Sequence, residues 1–369
     1  MLTNPGLYIH LPWCIKKCPY CDFNSHPLKP ESDLQSYTEA LVLEWQHRRD
    51  SFEEPQTFAS VFFGGGTPSL FAPANFTQIL GEVSLQVGAE VTMEANPGTA
   101  EHVDFGLYLQ AGINRLSIGA QTFNNLHLEA LGRIHAADES KSAFVSARKS
   151  GFDNINIDLM WGLPEQTLAD ALHDLTIAID LGPEHISWYQ LTLEPKTEFA
   201  VRPPILPKEP ILAEIETKGL ELLEEAGYAR YEVSAFSRDR PCQHNVNYWQ
   251  FGDYIGLGAG AHGKETNRSC PERTQNPHQP RVYTASATNG ERRAIPANEL
   301  PFEFMLNALR LQDGVPFSIF GAQTGLAWER VRPTWDSLVA RELVRDNRIA
   351  TTPLGYRYLD SVVAEFLLD

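Results

Sequence analysis

Three cysteines fall within eight residues, Cys14, Cys18 and Cys21, in the order C-x3-C-x2-C. Three thiolates on one loop can hold three irons of a [4Fe–4S] cluster. The fourth iron then lacks a protein ligand and can take a small chelating molecule. A structural zinc site instead wants four ligands with nothing left open; His10 or His26 could supply the fourth. The remaining cysteines, Cys242 and Cys270, stand far off in the chain. Five cysteines without an export signal do not describe a disulfide framework and fit a reducing cytosol.

Other chemistry-bearing residues close short apolar runs. One run ends in Gly64-Gly65-Gly66-Thr67-Pro68, where glycines let backbone approach a ligand closely. It is neither a dinucleotide fingerprint nor a phosphate loop, because the spacing is wrong and no lysine follows. Later runs end in Met93-Glu94-Ala95-Asn96, in Gln121, in Asp158 and in Tyr189-Gln190. Singly, such residues are turn or capping residues; several at the same end of one sheet favour a shared ligand site.

The elements that must position them follow from periodicity. Strands are expected at 7–11, 58–63, 90–94, 115–119, 155–160 and 185–191. Helices are expected at about 73–85, 100–110, 137–149 and 167–181. An earlier helix shows one face in Leu34, Tyr37, Leu41 and Trp45, with Ser32 or Asp33 as N-cap. Alternating strands and helices imply a parallel sheet. Six such units fall short of the eight of a closed barrel, so the expectation is α/β, a partial (βα)6 barrel over residues 1–232, with a doubly wound sheet as second choice. A helix over 209–226 should stop at Gly227. Lys264–Ala297 is polar, rich in Pro, Asn and Arg, and reads as a long loop, so 233–297 is taken as an extension with a linker. From residue 298 to 369, helices near 302–311, 319–321, 328–340 and 359–368 with a hairpin-like stretch at 345–352 outline a C-terminal winged-helix-like domain.

Composition narrows the function. An apolar share of 43% supports a large core, and no apolar run is long enough to span a membrane. The N-terminus lacks the basic and apolar regions of a secretory signal, so a cytoplasmic location is expected. With 30 Lys+Arg against 47 Asp+Glu the net charge is −17, a field that repels phosphate backbones, so no nucleic-acid partner is expected. The last 72 residues carry seven Arg and ten Asp+Glu, which weakens a DNA-binding reading of the winged-helix outline and favours a structural or protein-contact role.

The C-x3-C-x2-C segment followed by Gly-Gly-Gly-Thr-Pro resembles the radical S-adenosylmethionine superfamily. Tyr8-Ile-His-Leu-Pro-Trp-Cys14, Met93–Gly98, Arg115–Gln121 and Asn156–Pro164 resemble its oxygen-independent coproporphyrinogen III oxidase group, and the likeness covers nearly the whole chain. It implies a [4Fe–4S] cluster on Cys14, Cys18 and Cys21. It also implies S-adenosyl-L-methionine contacted by Tyr8, Tyr20, Gly65, Gly66, Thr67, Glu94, Gln121, Arg133 and Asp158.

Two features separate the chain from the oxidases. They carry a fourth cysteine two residues after the third, where Phe23 stands here. The segment Cys242-Gln-His244-Asn-Val-Asn-Tyr248-Trp249, with its H-N-x-x-Y-W pattern, resembles a branch of close relatives regarded as heme chaperones, as do Cys21–His26 and Gly256–Gly263. That likeness implies heme binding and transfer to an apo-hemoprotein acceptor. Peripheral contact with membrane-bound acceptors stays open, as do monomeric and dimeric states. His244 is the expected axial ligand, since a neutral imidazole binds heme iron well, with Cys242 behind it. Tyr248 and Trp249 offer flat apolar area, and cations after Lys264 could meet the propionates. No C-x-x-C-H occurs for thioether attachment. The competing readings are the radical decarboxylase of coproporphyrinogen III and a winged-helix regulator with an iron–sulfur sensor.

Overall fold

The structure, a computed structural model, describes residues 4–100, 104–267 and 270–367. The first six strands are β1 (Gly6–Leu11), β2 (Phe58–Gly65), β3 (Leu85–Ala95), β4 (Arg115–Gln121), β5 (Ile155–Trp161) and β6 (His185–Gln190). They lie side by side in chain order, all parallel. Strand–helix–strand connections supply that arrangement, since parallel neighbours need a crossover. Beyond β6 come β7 (Ala229–Glu232) and β8 (Ala235–Ser237), the latter antiparallel to β6. Beyond β1 comes β9 (Tyr254–Leu257), parallel to it. The antiparallel β10 (His262–Asn267), β11 (Cys270–Gln275) and β12 (Glu291–Ala294) extend that edge. The single mixed sheet runs β12-β11-β10-β9-β1-β2-β3-β4-β5-β6-β8-β7.

The two faces of β1–β6 differ in chemistry because side chains alternate along a strand. One face carries Leu7, Ile9, Val61, Val91, Leu116 and Ile157, all buried in the main core under the helices. Each fully buried aliphatic side chain contributes roughly 1.5–3 kcal/mol. The other face carries Tyr8, Glu90, Arg115, Asn156, Asp158 and His185, so the curled sheet encloses a polar column. Most of the expected helices form, but the one expected over about 73–85 stops at Leu80, and Leu85 already opens β3. The one over Leu34–Arg49 is capped by Asp33, whose Oδ1 accepts from the Ser36 backbone N–H at 2.9 Å. The helix expected over 100–110 runs Phe105–Gln110, and 101–103 lie outside the described residues.

The expected loop at Lys264–Ala297 is instead folded: it contains most of β10, all of β11 and β12, and the helix Pro280–Ala285. Its strands bond through backbone and carry few core side chains, so hydrophobic periodicity could not betray them. A buried polar knot holds them. Glu44 accepts from the Gly258 backbone N–H (3.0 Å), Asn276 Nδ2 (2.8 Å) and the Tyr283 hydroxyl (2.7 Å).

The C-terminal segment packs a second core around Phe304, Met305, Phe320, Trp335 and Leu338, and it draws Phe251 and Ile295 from before residue 298. Helices Leu300–Ala308, Ser318–Thr324 and Arg332–Ala340 precede a small turn joined by bridges Val315–Ile349 and Val344–Thr351. No helix among the described residues is long and apolar enough to cross a membrane.

Candidate functional site

The C-terminal ends of β1–β6 open onto one cavity of about 510 Å3. Its wall includes Cys14, Cys18 and Cys21, and with them Tyr20, Gly65, Gly66, Thr67, Glu94, Gln121, Arg133 and Asp158. Eleven residues spread over 145 positions of sequence thus converge because parallel strands end on the same side. Tyr8 lies deeper, off the cavity wall, with its hydroxyl 2.9 Å from His10 Nδ1.

The cysteine loop leaves β1, and all three thiols are free and partly exposed. Burial pushes the Cys14 and Cys21 thiols up, with the Thr67 hydroxyl opposing at Cys14 and the Phe23 backbone opposing at Cys21. Coordination to a metal would deprotonate them. His10 is no fourth ligand: Nδ1 meets Tyr8, and Nε2 lies 2.9 Å from the Asn24 carbonyl. His26 Nε2 turns to Asn24 Oδ1 at 3.2 Å. Among the described residues no three His, Cys, Asp or Glu side chains are gathered closely enough to hold one metal ion. Three thiols at an open mouth, with no fourth protein donor joining them, fit a cluster with one open iron.

The cavity's charges fit a ligand bearing both a cation and a carboxylate. Arg133 Nη2 donates to the Gly119 carbonyl (2.9 Å) and Nη1 reaches Cys18 Sγ at 3.8 Å, while its buried Nε has no partner among the described residues. Opposite, burial with Asp158 nearby pushes the Glu94 carboxyl up to about 8; Glu94 Oε2 accepts from the Gly65 backbone N–H at 3.1 Å. Asp158 accepts from Ser117 Oγ (2.7 Å) and Asn156 Nδ2 (2.8 Å). Gln121 takes a left-handed conformation, φ 67°, where β4 slips register against β5, and its amide oxygen accepts from the Tyr189 hydroxyl at 2.9 Å. That bulge turns the side chain into the cavity.

The glycines serve packing more directly than ligand approach. A Cβ on Gly65, at φ 111°, would sit 2.3 Å from the His10 ring, and one on Gly66 would sit 2.5 Å from the Trp13 carbonyl oxygen. Gly65→Val would therefore disrupt the scaffold and is a poor probe of ligand binding.

His244 is not at the cavity. It lies in the short helix Gln243–Trp249, which plugs the floor of the barrel at the N-terminal ends of β1–β3. It is 1% exposed, Nδ1 meets Ser60 Oγ at 2.9 Å, and Nε2 meets the Tyr248 hydroxyl at 2.8 Å. The expected role as axial heme ligand is corrected by this geometry: both nitrogens are engaged, and the H-N-x-x-Y-W spacing sets His244 and Tyr248 one helical turn apart on the buried face. Cys242 is buried as well, its Sγ donating to Glu90 Oε1 at 3.2 Å. His244→Ala should leave a void and two orphaned hydroxyls and lower stability by about 2–4 kcal/mol in urea unfolding.

Sequence reading missed the column beneath the cavity. His185 bridges Asn156 Oδ1 (2.6 Å) and the Tyr231 hydroxyl (2.9 Å), and Arg115 faces Glu90 at 3.9 Å. The available signal was polar alternation at every second strand position, as in Asn156-Ile-Asp158 and His185-Ile-Ser187.

Comparison with known proteins agrees with this architecture. A model described as the Radical SAM superfamily matches residues 8–176, and the HemN C-terminal domain matches 295–358. The structure of coproporphyrinogen III oxidase (HemN) from Escherichia coli superposes with a TM-score of 0.81 over 99% of this chain and 91% of that chain. At 21% identity this speaks for the fold alone. The class is thus a radical SAM α/β domain carrying a HemN-type C-terminal domain. "Heme chaperone HemW" of Haemophilus influenzae is 43% identical over 376 residues, covering 99% of this chain and 98% of the relative. That of E. coli is 44% identical over 375 residues, with the same shares covered. The chain belongs to the HemW family.

Proposed function

We propose that this protein is a heme chaperone of the cytoplasm. In this reading it holds a [4Fe–4S] cluster on Cys14, Cys18 and Cys21 and S-adenosyl-L-methionine in the adjoining cavity. It binds heme and passes it to an apo-hemoprotein acceptor. The observation that carries the reading is the gathering of three free thiols, Arg133, Glu94 and Asp158 around one cavity in a chain of the HemW family. When bound, the cluster supplies an open iron for the amino and carboxylate groups of S-adenosyl-L-methionine. Arg133, with its unpartnered Nε, meets the carboxylate; Glu94 and Asp158 face the ammonium and ribose hydroxyls. Gln121 and the backbone of Gly65 and Gly66 complete the wall, while Tyr8 props the floor through His10. Tyr20, packed on Phe199 with ring centroids 6.4 Å apart, closes the side beside Cys18.

Phe23 is 57% exposed at the mouth, where the oxidase pattern has a cysteine. The test uses anaerobic, cluster-loaded protein. It should take up heme and release it to an apo-hemoprotein, and with reductant and S-adenosyl-L-methionine it should not turn over coproporphyrinogen III. Multiple turnovers to the divinyl product would replace this reading with the oxidase; absence of heme uptake would remove it.

A further inference from the structure

Hydrogen bonds in the polar column beneath the cavity run in one direction. Asn156 is 1% exposed and uses every hydrogen-bonding position of its amide. Nδ2 donates to Ser117 Oγ (2.7 Å) and to Asp158 Oδ1 (2.8 Å). Oδ1 lies 2.6 Å from His185 Nδ1 and accepts from Ser187 Oγ at 3.1 Å. An amide oxygen only accepts, so His185 Nδ1 carries the proton. Burial and the charge of Arg115 keep that imidazole neutral, which leaves Nε2 as an acceptor. The Tyr231 hydroxyl, 2.9 Å from Nε2, is then the donor, and its oxygen accepts from the Cys242 backbone N–H at 3.4 Å. Donation thus passes from Tyr231 through His185 and Asn156 to Asp158.

The chain ends on the cavity wall. Ser117, Asp158 and Ser187 line that wall, and Asn156, His185 and Tyr231 stand behind them. Ser117 receives a bond from Asn156 and donates to Asp158 Oδ2 at 2.7 Å, so each carboxylate oxygen meets a donor from below. Turning the Asn156 amide over would set its oxygen against a carboxylate oxygen with no proton between them. At the far end β7 is pinned, since the Tyr231 carbonyl accepts from the Gln312 backbone N–H at 2.9 Å. The other groups whose charges bear on Asp158 are Glu94 on β3, Arg115 on β4 and Tyr189 on β6. Arg115 is the cation among them, and burial keeps Tyr189 neutral. Burial pushes the Asp158 carboxyl up, and the bonds from Ser117 and Asn156 lead the opposition to it.

We infer that Tyr231, His185 and Asn156 are positioning residues that hold Asp158 as a pure hydrogen-bond acceptor, so that the cavity selects a ligand presenting N–H or O–H donors at this point. The inference rests on the reading of the cavity as the S-adenosyl-L-methionine site, whose ammonium and ribose hydroxyls are such donors. It also separates the two carboxyls. Asp158 has two side-chain donors and Glu94 one backbone donor, so in the cofactor-free cavity the proton rests on Glu94.

The test is calorimetric titration of S-adenosyl-L-methionine into the full, cluster-loaded chain. Asn156→Leu is similar in size and removes the donor to Asp158. It should weaken binding about tenfold at pH 7. Combined with Glu94→Gln, it should make binding tighten as pH rises from 6 to 8.5, because an undersupported Asp158 takes up a proton at the lower pH. Glu94→Gln alone should stay flat over that range. Tyr231→Phe keeps the ring but removes the donor that fixes the His185 tautomer. Affinity should fall about threefold although the change lies behind the wall. Nitrogen NMR shifts of labelled His185 should also leave the Nδ1-protonated pattern. Unfolding midpoints show whether each variant is folded. Unchanged affinity in either folded variant would overturn the inference and leave the cofactor site standing. Should Asn156→Leu fail to fold, Tyr231→Phe decides by itself. A wild-type protein with an intact cluster that binds no S-adenosyl-L-methionine would end both.

Discussion

Alanine at Cys14, Cys18 and Cys21 together should bring iron and acid-labile sulfide to background and erase the broad visible absorption of the reconstituted protein. The reason is that, among the described residues, His10 and the two other cysteines are held away from the thiol loop. His10 is committed at both nitrogens, and Cys242 and Cys270 lie on the floor and the far edge. The fold should survive, since the three side chains are partly exposed and belong to none of the hydrophobic cores. Far-ultraviolet circular dichroism and the unfolding midpoint should therefore stay close to wild type. Unchanged iron and sulfide in the triple variant would refute the assignment. Stoichiometric zinc in the wild-type protein would do the same.

Glu94 should govern how the cofactor-free protein responds to pH. Its carboxyl is pushed up to about 8 by burial and by Asp158, against about 4.5 in the unfolded chain. Between those values the unfolded state ionises while the folded state keeps its proton. The folded state thus loses relative stability as pH rises from about 4.5 to about 8, and the loss levels off above that. Glu94→Gln keeps an acceptor for the Gly65 N–H and removes the ionisation. It should match wild type near pH 4.5 and exceed it by about 1–3 kcal/mol at pH 8, softened because the side chain faces an open cavity. A ligand cation in the cavity would favour ionised Glu94. Binding of S-adenosyl-L-methionine by cluster-loaded protein should then tighten from pH 6 to pH 8.5 in wild type and lose that dependence in Glu94→Gln. Parallel stability curves for the two proteins would contradict the protonated carboxyl.

How legible the fold was depended on what held each element. Strands β1–β6 were readable because one face buries aliphatic side chains continuously, and the helix capped by Asp33 because its apolar positions recur on one face. The edge strands β10–β12 were not readable. Their stability comes from backbone ladders and from Glu44 bonding to Asn276 and Tyr283, partners more than 230 positions away. No local pattern encodes a bond of that range.

For the site, local spacing determined much by itself. The C-x3-C-x2-C run sets three thiols on one loop whatever surrounds it, and the polar residues that close successive strands must share an end of the sheet once those strands are parallel. Spacing therefore set the three thiols on one loop and Glu94, Gln121 and Asp158 at one end of the sheet, whereas Tyr20 and Arg133 were expected only from the family resemblance. What the sequence could not determine is orientation. His244 carries the residue type of a heme ligand, but only the packed barrel shows its ring sealed between Ser60 and Tyr248. The run Gly256–Gly263 carries a family resemblance, but only strand register shows that His262 stands across from Gln275 on the outer edge of the sheet. Residue type and spacing are properties of the chain, whereas burial and accessibility belong to the surfaces that meet when it folds.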